Sequence, residues 1–221
     1  MDRRRLLACL ALIALAPRSA LARPVRVPAT DAFPMLDSYL ELPPEKRDRF
    51  SFAYRAFRKT EPAPDAKAAL ITADGTRTPV VFTPDGAVTN LPTLDQLKHK
   101  AMFEIEGPGF GFLLEPLATI PLADHIAVAE LALSLAQVNA AIVAFAGPDA
   151  GSLRNLTACY FPGAAGGDAV QADGAAKPLP SFDFKTLGPT EYFEPRRAEG
   201  AVTLAFAQAP SRIILATPPR R

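Results

Sequence analysis

Apolar and polar positions alternate with period two in "RFSFAYRAF", residues 49–57, where Phe50, Phe52 and Tyr54 oppose Ser51, Ala53 and Arg55. That period, with aromatics on one side, predicts a half-buried strand. Residues 67–92 read as strand, turn, strand, turn, strand, with Asp74-Gly75 and Asp85-Gly86 at the turns. Asp-Gly tolerates the positive φ that a tight hairpin needs. Residues 93–100 predict one or two helical turns capped by Thr93, and 101–117 a hairpin about "GPG". Further strands are predicted at 154–161, 168–173 and 178–184, then a loop over 188–200 and a closing hairpin from 201–208 and 211–218.

One stretch has a different period. Residues 121–147, "PLADHIAVAELALSLAQVNAAIVAFAG", are apolar almost all round a helical wheel, and Gly147-Pro148 ends them. Glu130, Ser134 and Gln137 form a single polar stripe at i, i+4, i+7. Such a helix is expected to be buried on most sides, with Leu133 in the core and Gln137 outside. Glu130, Gln137 and Asn139 make a free-standing membrane span costly.

Antiparallel hairpins around one long apolar helix predict an α+β fold. "ADGTRTP" at 73–79 returns as "ADGAAKP" at 172–178, 99 positions later. At nearly the same offset 101–105 falls on 200–204 and 110–116 on 211–217. One reading is an internal duplication with pseudo-twofold halves at 23–119 and 120–221. The other is that Asp-Gly turns recur because hairpins need them.

The start of the chain changes the picture of where the protein works. Arg3, Arg4 and Arg5 precede the apolar run "LLACLALIALA" at 6–16, and "ALA" at 20–22 places small residues at a cleavage site. These three parts predict a secretory signal peptide, residues 1–22, cleaved after Ala22. Eleven apolar residues are too few to cross a bilayer core of about 30 Å. "RRRLL" is also compatible with a loose twin-arginine signal. Abundant Ala, Pro and Arg suggest GC-rich coding, hence a bacterial source and a periplasmic address.

Cysteine and charge then narrow the chemistry. The two cysteines are Cys9 and Cys159, and Cys9 lies in the predicted signal. A single remaining thiol allows no internal disulfide and no Cys-based metal site. The first 22 residues hold four of the 24 basic residues and one of the 23 acidic ones, which leaves a small acidic excess. Nothing in that balance draws nucleic acid or anionic lipid.

The candidate constellations are few. Cys159 with His125 or His99, and Asp124 as orienting carboxylate, would be a thiol nucleophile and base; Cys159 in mid-strand between Ala158 and Tyr160 reads better as a buried apolar filler. Glu104 and Glu106 share one strand face about 7 Å apart, a spacing suited to acid–base work but also to any solvent-facing strand side. "GPGFG" at 107–111 lacks the helix that a phosphate loop requires. No G-x-S-x-G, HExxH or dinucleotide fingerprint occurs. In "PTEYFEPRR", Tyr192, Phe193, Arg196 and Arg197 sit together in an expected loop, the kind of aromatic and arginine cluster that suits a partner surface.

The expectation is therefore an exported protein, periplasmic or secreted, for which the sequence leans toward a non-catalytic domain and leaves enzyme activity open. It uses no cofactor or metal, is not an integral membrane protein once cleaved, and binds an envelope partner or a small apolar ligand. The alternatives are a small envelope hydrolase whose residues meet only in the fold, and a structural subunit of an envelope assembly.

Overall fold

The computed structural model describes residues 24–107, 109–147, 155–184, 186–197 and 200–219. The predicted signal peptide, residues 1–22, lies outside the described residues. Internal contacts divide the chain into two compact units. The first holds the chain up to Pro43 together with Phe52–Glu115, and the second holds Pro44–Ser51 together with Pro116 onward.

The first unit begins with strand β1 (Val25–Pro28), which runs directly into two short helices, α1 (Ala29–Ala32) and α2 (Leu36–Glu41). The aromatic strand predicted at 49–57 is β2 (Phe50–Arg58), followed by the two-residue β3 (Glu61–Pro62). Next come the hairpin β4 (Lys67–Ile71) and β5 (Arg77–Pro79), helix α3 (Leu94–Lys98), then β6 (Met102–Glu106) and β7 (Gly111–Ala118). Four of these strands form an antiparallel sheet in the order β1-β6-β4-β5. Thr93 caps α3 as its position suggests: its side chain accepts the Gln96 N–H, and the Gln96 side chain returns to the Thr93 N–H.

The apolar face of β2 fills this unit. Phe33 meets Tyr54 edge-on at 5.2 Å and Phe103 at 5.3 Å, and the Tyr54 hydroxyl donates to the Pro34 carbonyl at 2.6 Å. An aromatic cluster of this kind gains from ring geometry as well as from burial. Arg55 is buried on the same strand and forms ion pairs with Glu115 and Asp85, which ties the Asp85-Gly86 turn to β2. The Ala56 N–H donates to the Gly86 carbonyl at 2.8 Å. Across the second Asp-Gly turn Phe82 bridges Val88 antiparallel and the Thr83 N–H donates to the Ala87 carbonyl at 2.8 Å, as the sequence suggests, and the returning arm also joins β2 through the isolated bridge Arg55–Ala87.

The second unit contains a 3-10 turn at Pro44–Lys46, strand β8 (His125–Ala127) and the long helix α4 (Val128–Ala146). Strands β9 (Ala158–Phe161), β10 (Asp168–Gln171), β11 (Ala176–Pro178), β12 (Ser181–Phe184), β13 (Gly188–Phe193), β14 (Ala201–Ala205) and β15 (Ile214–Ala216) complete it. One sheet here has the order β8-β14-β10-β11; another runs β12-β13-β9-β15. Every pairing with a described register is antiparallel. The α+β architecture with mainly antiparallel sheets and one long apolar helix is therefore as the sequence indicates.

The helix differs from expectation in extent and in orientation. It starts at Val128, because 125–127 pair with β14, Ile126 standing opposite Leu204. It is also not buried all round: Leu131 and Val138 are sealed, whereas Leu133 is 47% exposed and Val143 50%. With apolar residues around almost the whole circumference, the pattern does not name an inner face. Which side turns inward was decided by the polar residues. The loop expected over 188–200 begins as β13, an inner strand between β12 and β9.

The two "ADG" turns are alike in atomic detail. Gly75 has φ 85° and Gly174 φ 87°. Asp74 Oδ1 accepts the Thr76 N–H at 3.0 Å, and Asp173 Oδ1 accepts the Ala175 N–H at 2.9 Å. Ala69 pairs with Pro79, and Asp168, 99 positions on, with Pro178. The Val80 N–H donates to the Ala68 carbonyl at 2.9 Å, and the Leu179 N–H to the Gly167 carbonyl at 2.8 Å.

Gly86 and Gly75 separate two costs of a side chain at positive φ. A Cβ at Gly75 meets nothing, so Gly75→Ala costs only the backbone strain, roughly 1–2 kcal/mol. A Cβ at Gly86 would stand 2.6 Å from the Ala56 carbonyl oxygen, so Gly86→Ala must also displace β2 backbone. Urea denaturation should show Gly86→Ala to be the more destabilising by about 1–3 kcal/mol. Equal effects would mean that the turn does not seat on β2.

Candidate functional site

The outstanding surface belongs to α4. Its polar side chains are all engaged within the second unit, Ser134 by the helix backbone and the others by the chain packed against it. Glu130 forms an ion pair with Arg49. Gln137 Oε1 accepts the Arg49 backbone N–H at 2.9 Å, while Gln137 Nε2 donates to the Glu45 carbonyl at 3.1 Å and to the Asp48 carboxylate. Asn139 holds one residue of the chain beyond the helix, donating to the Leu156 carbonyl and accepting the Leu156 N–H, each at 2.8 Å. Ser134, fully buried, donates to the Glu130 carbonyl one turn back.

The outward face is the complement of this. Every exposed residue within α4 is Ala, Leu or Val. Ala129, Leu133, Ala136, Ala140 and Val143 follow one another at steps of four, three, four and three, flanked by Ala132 and Ala144. That is a heptad spacing, which keeps a single seam on one side of the helix for about 21 Å. Beside it runs a shallow depression of about 90 Å³, between Ala132, Ala136 and Asn139 of the helix and Leu156, Pro195 and Arg196 of the neighbouring chain. Contiguous exposed apolar surface with a polar margin marks an interaction face.

The residues singled out from sequence fall in several places. Tyr192 and Phe193 are not at a loop tip: both lie in β13 and are buried, because strands flank β13 on either side. Tyr192 packs against Tyr160 with ring centroids 5.7 Å apart, so these two are core residues. Arg196 and Arg197 lie in the turn after β13 and are exposed. Arg197 pairs with Glu194 at 3.2 Å, and Arg196 borders the depression beside α4. The heptad seam was present in the sequence as the spacing 129, 133, 136, 140, 143. The polar stripe at 130, 134 and 137 competes with it as the expected outer face, and the partners that turn the stripe inward are distant in sequence.

Cys159 is fully buried in β9 between Phe193 and Leu215, and desolvation pushes its thiol well above the ordinary range. A thiol so held is not a thiolate at neutral pH. His125 is exposed on β8. His99 is exposed too, with its Nδ1 at 2.9 Å from the Asp95 carbonyl.

Glu104 and Glu106 are not two free carboxylates on a solvent face. Glu104 is only 4% exposed, bound by Arg26 Nε at 2.7 Å and Arg77 Nε at 3.1 Å. Arg77 also pairs with Glu106. Hydrogen bonds from Arg26 and then Arg77 hold the Glu104 carboxyl below its ordinary value of 4.5. The arginines come from β1 and β5, the strands at the two edges of the same sheet. Among the described residues, no group of three or more His, Cys, Asp and Glu is placed to hold a metal ion.

Two outcomes follow for these side chains. The stabilisation contributed by Glu104 is complete above its unfolded pKa and is lost as pH falls through the lower folded one. Thermal melts should therefore show the wild type losing stability below about pH 4.5 and Glu104→Gln losing less of it there. An unchanged acid limb would show that the arginines do not hold this carboxylate. On α4, Leu131→Asp should abolish cooperative unfolding, since it buries an unpaired charge at a cost of several kcal/mol. Leu133→Asp should leave the fold and shift stability by less than about 1 kcal/mol. Near-ultraviolet circular dichroism of both variants checks the orientation of the helix, and a lost signal in Leu133→Asp would reverse it.

No protein-family model, no curated protein and no solved structure matches the chain.

Proposed function

We propose that this chain is an exported protein of the bacterial envelope that acts by binding a partner, not by catalysis, and that the outward face of α4 is its docking surface. The observation that carries this reading is the inversion of α4: its polar residues are consumed within the second unit, and only Ala, Leu and Val are left outside. A monomer that needed no partner would be more soluble with this polar stripe, and not the alanine face, turned fully to water. The Glu104–Arg26–Arg77 cluster and the sealed Cys159 support the non-catalytic part, because each is spent on structure. Arg196, exposed at the edge of the depression, is part of the polar margin. Among the described residues α4 alone is long and apolar enough to cross a membrane. The internal engagement of Glu130, Gln137 and Asn139 supports a helix seated on its own protein instead.

Export rests on the n-, h- and c-regions at 1–22, with Arg23 as the first mature residue and the periplasm as destination. We further read the two halves as descendants of one duplicated unit. The sheet orders β1-β6-β4-β5 and β8-β14-β10-β11 place corresponding strands in the same sequence, each first strand leading into a helix. The hydrogen bonds and registers that recur 99 positions apart add to this.

Export and docking are testable together. A photo-crosslinking residue in place of Ala140, in a cell expressing the full chain, should give a discrete adduct, and N-terminal sequencing of the unreacted protein should start at Arg23. No adduct from either position 136 or position 140 would remove the docking reading. A protein that starts at Met1 would remove export.

A further inference from the structure

Resting on α4 as a docking face, we propose that its occupant is α4 of a second copy of this chain, paired antiparallel so that Leu133 of each copy meets Val143 of the other. The argument is one of self-complementarity. Antiparallel helices with a heptad seam mesh the a positions of one with the d positions of the other. In α4 the steps of four and three put Leu133 and Ala140 in one class, and Ala136 and Val143 in the other. Reversed on itself about residue 138, the seam gives four layers: Leu133 with Val143, Ala136 with Ala140, Ala140 with Ala136, and Val143 with Leu133. Two all-alanine layers lie at the centre and one pair of larger side chains closes each end.

That order suits a close helix pair. Alanine layers let the axes approach to the short end of the roughly 8–10 Å range of packed helices. Leu133 and Val143, about half exposed in the single chain, are then the residues that gain most from cover. The charges fit too. Glu130, the one titratable side chain of α4, is ion-paired with Arg49 and lies outside the seam, so pairing two copies along the seam buries no unpaired carboxylate or ammonium. An antiparallel arrangement sets each helix N-terminus beside a C-terminus, which favours the macrodipoles. It is also isologous, so it closes at two copies and leaves no open seam for further growth. Asn155 and Arg196, both exposed beside Ala132 and Ala136, supply the polar rim.

The area sets the strength. A strip about 21 Å long on each copy removes at most on the order of 1,000 Å² in all, in the range of weak, reversible interfaces. The dimer should therefore dissociate on the order of micromolar concentration.

Sedimentation velocity of the full chain, from well below to well above that concentration, should show a monomer passing to a dimer and no larger species. Ala136→Glu, a change at an exposed helical site, should keep the circular dichroism and weaken dimerisation by about tenfold or more. In a Cys9→Ser background, a mixture of Ala136→Cys and Ala140→Cys chains should be joined by a short bis-maleimide faster than either variant alone. Faster joining of each variant to itself would mean parallel pairing and would overturn the proposal. So would a monomer at every concentration. In that case the labelling of Ala136→Cys separates the two readings. Rapid labelling leaves the face open to a different partner, whereas slow labelling means that the chain covers it, and the docking reading falls as well.

Discussion

The orientation of α4 depends on a small set of polar contacts made by Arg49, Gln137 and Asn139. Arg49 contributes twice, its guanidinium to Glu130 and its backbone N–H to Gln137. Asn139 satisfies both polar groups of Leu156. Each such bond adds only about 1 kcal/mol net, but a partner left buried and unmade costs about 1–3 kcal/mol. Rolling the helix outward would therefore orphan several groups at once, while Leu131, Leu135 and Val138 would be carried into water. Apolar burial and polar satisfaction select the same inner face, and the outer face is what remains.

Much of the fold was legible because period two and period 3.6 are strong signals. Phe50, Phe52 and Tyr54 marked β2, both Asp-Gly pairs marked turns, and Thr93 marked the start of α3. What escaped depended on partners distant in sequence. Gln137 looked like a solvent residue until Glu45, Asp48 and Arg49, some 90 positions earlier, were brought to it. Tyr192 and Phe193 looked like a loop tip because Pro189 and Pro195 bracket them, yet pairing to Tyr160 and Cys159 makes them core. Of the four residues singled out as a surface, Arg196 alone borders the depression beside α4. The seam itself needed no distant partner to be recognised, only the choice of the alanine side over the polar side.

The first unit uses its charges in another way. Arg55 is buried between Glu115 and the Asp85-Gly86 turn, and Glu104 is covered by Arg26 and Arg77. Buried ion pairs of this sort add little to stability over an apolar core, but losing one member strands the other. Their effect is to fix which segments meet: Arg55 joins β2 to a turn 30 residues on, and Glu104 joins the sheet's two edge strands. The Glu104 carboxylate is taken up by both arginines, whose hydrogen bonds hold its pKa below the ordinary value. That is the physical reason that a strand bearing two glutamates reads as a fastening and not as an acid–base pair.

Under the proposed duplication, the halves have kept their turns and changed their contents. The turn at 72–76 and that at 171–175 share hydrogen bonds and φ, since a positive-φ glycine after Asp is a backbone requirement that any hairpin of this length must meet. Side chains are freer to change. Where β1 carries Arg26 opposite Glu104, β8 carries His125 opposite Ala205, so the charged clasp of the first sheet has no counterpart in the second. Where β1 leads into the short α1, β8 leads into the 19 residues of α4. A helix of four residues cannot present a seam, and one of 19 can. On this view the sheet is the inherited scaffold, and the segment between its first strand and the next is where the second half acquired a surface for another molecule.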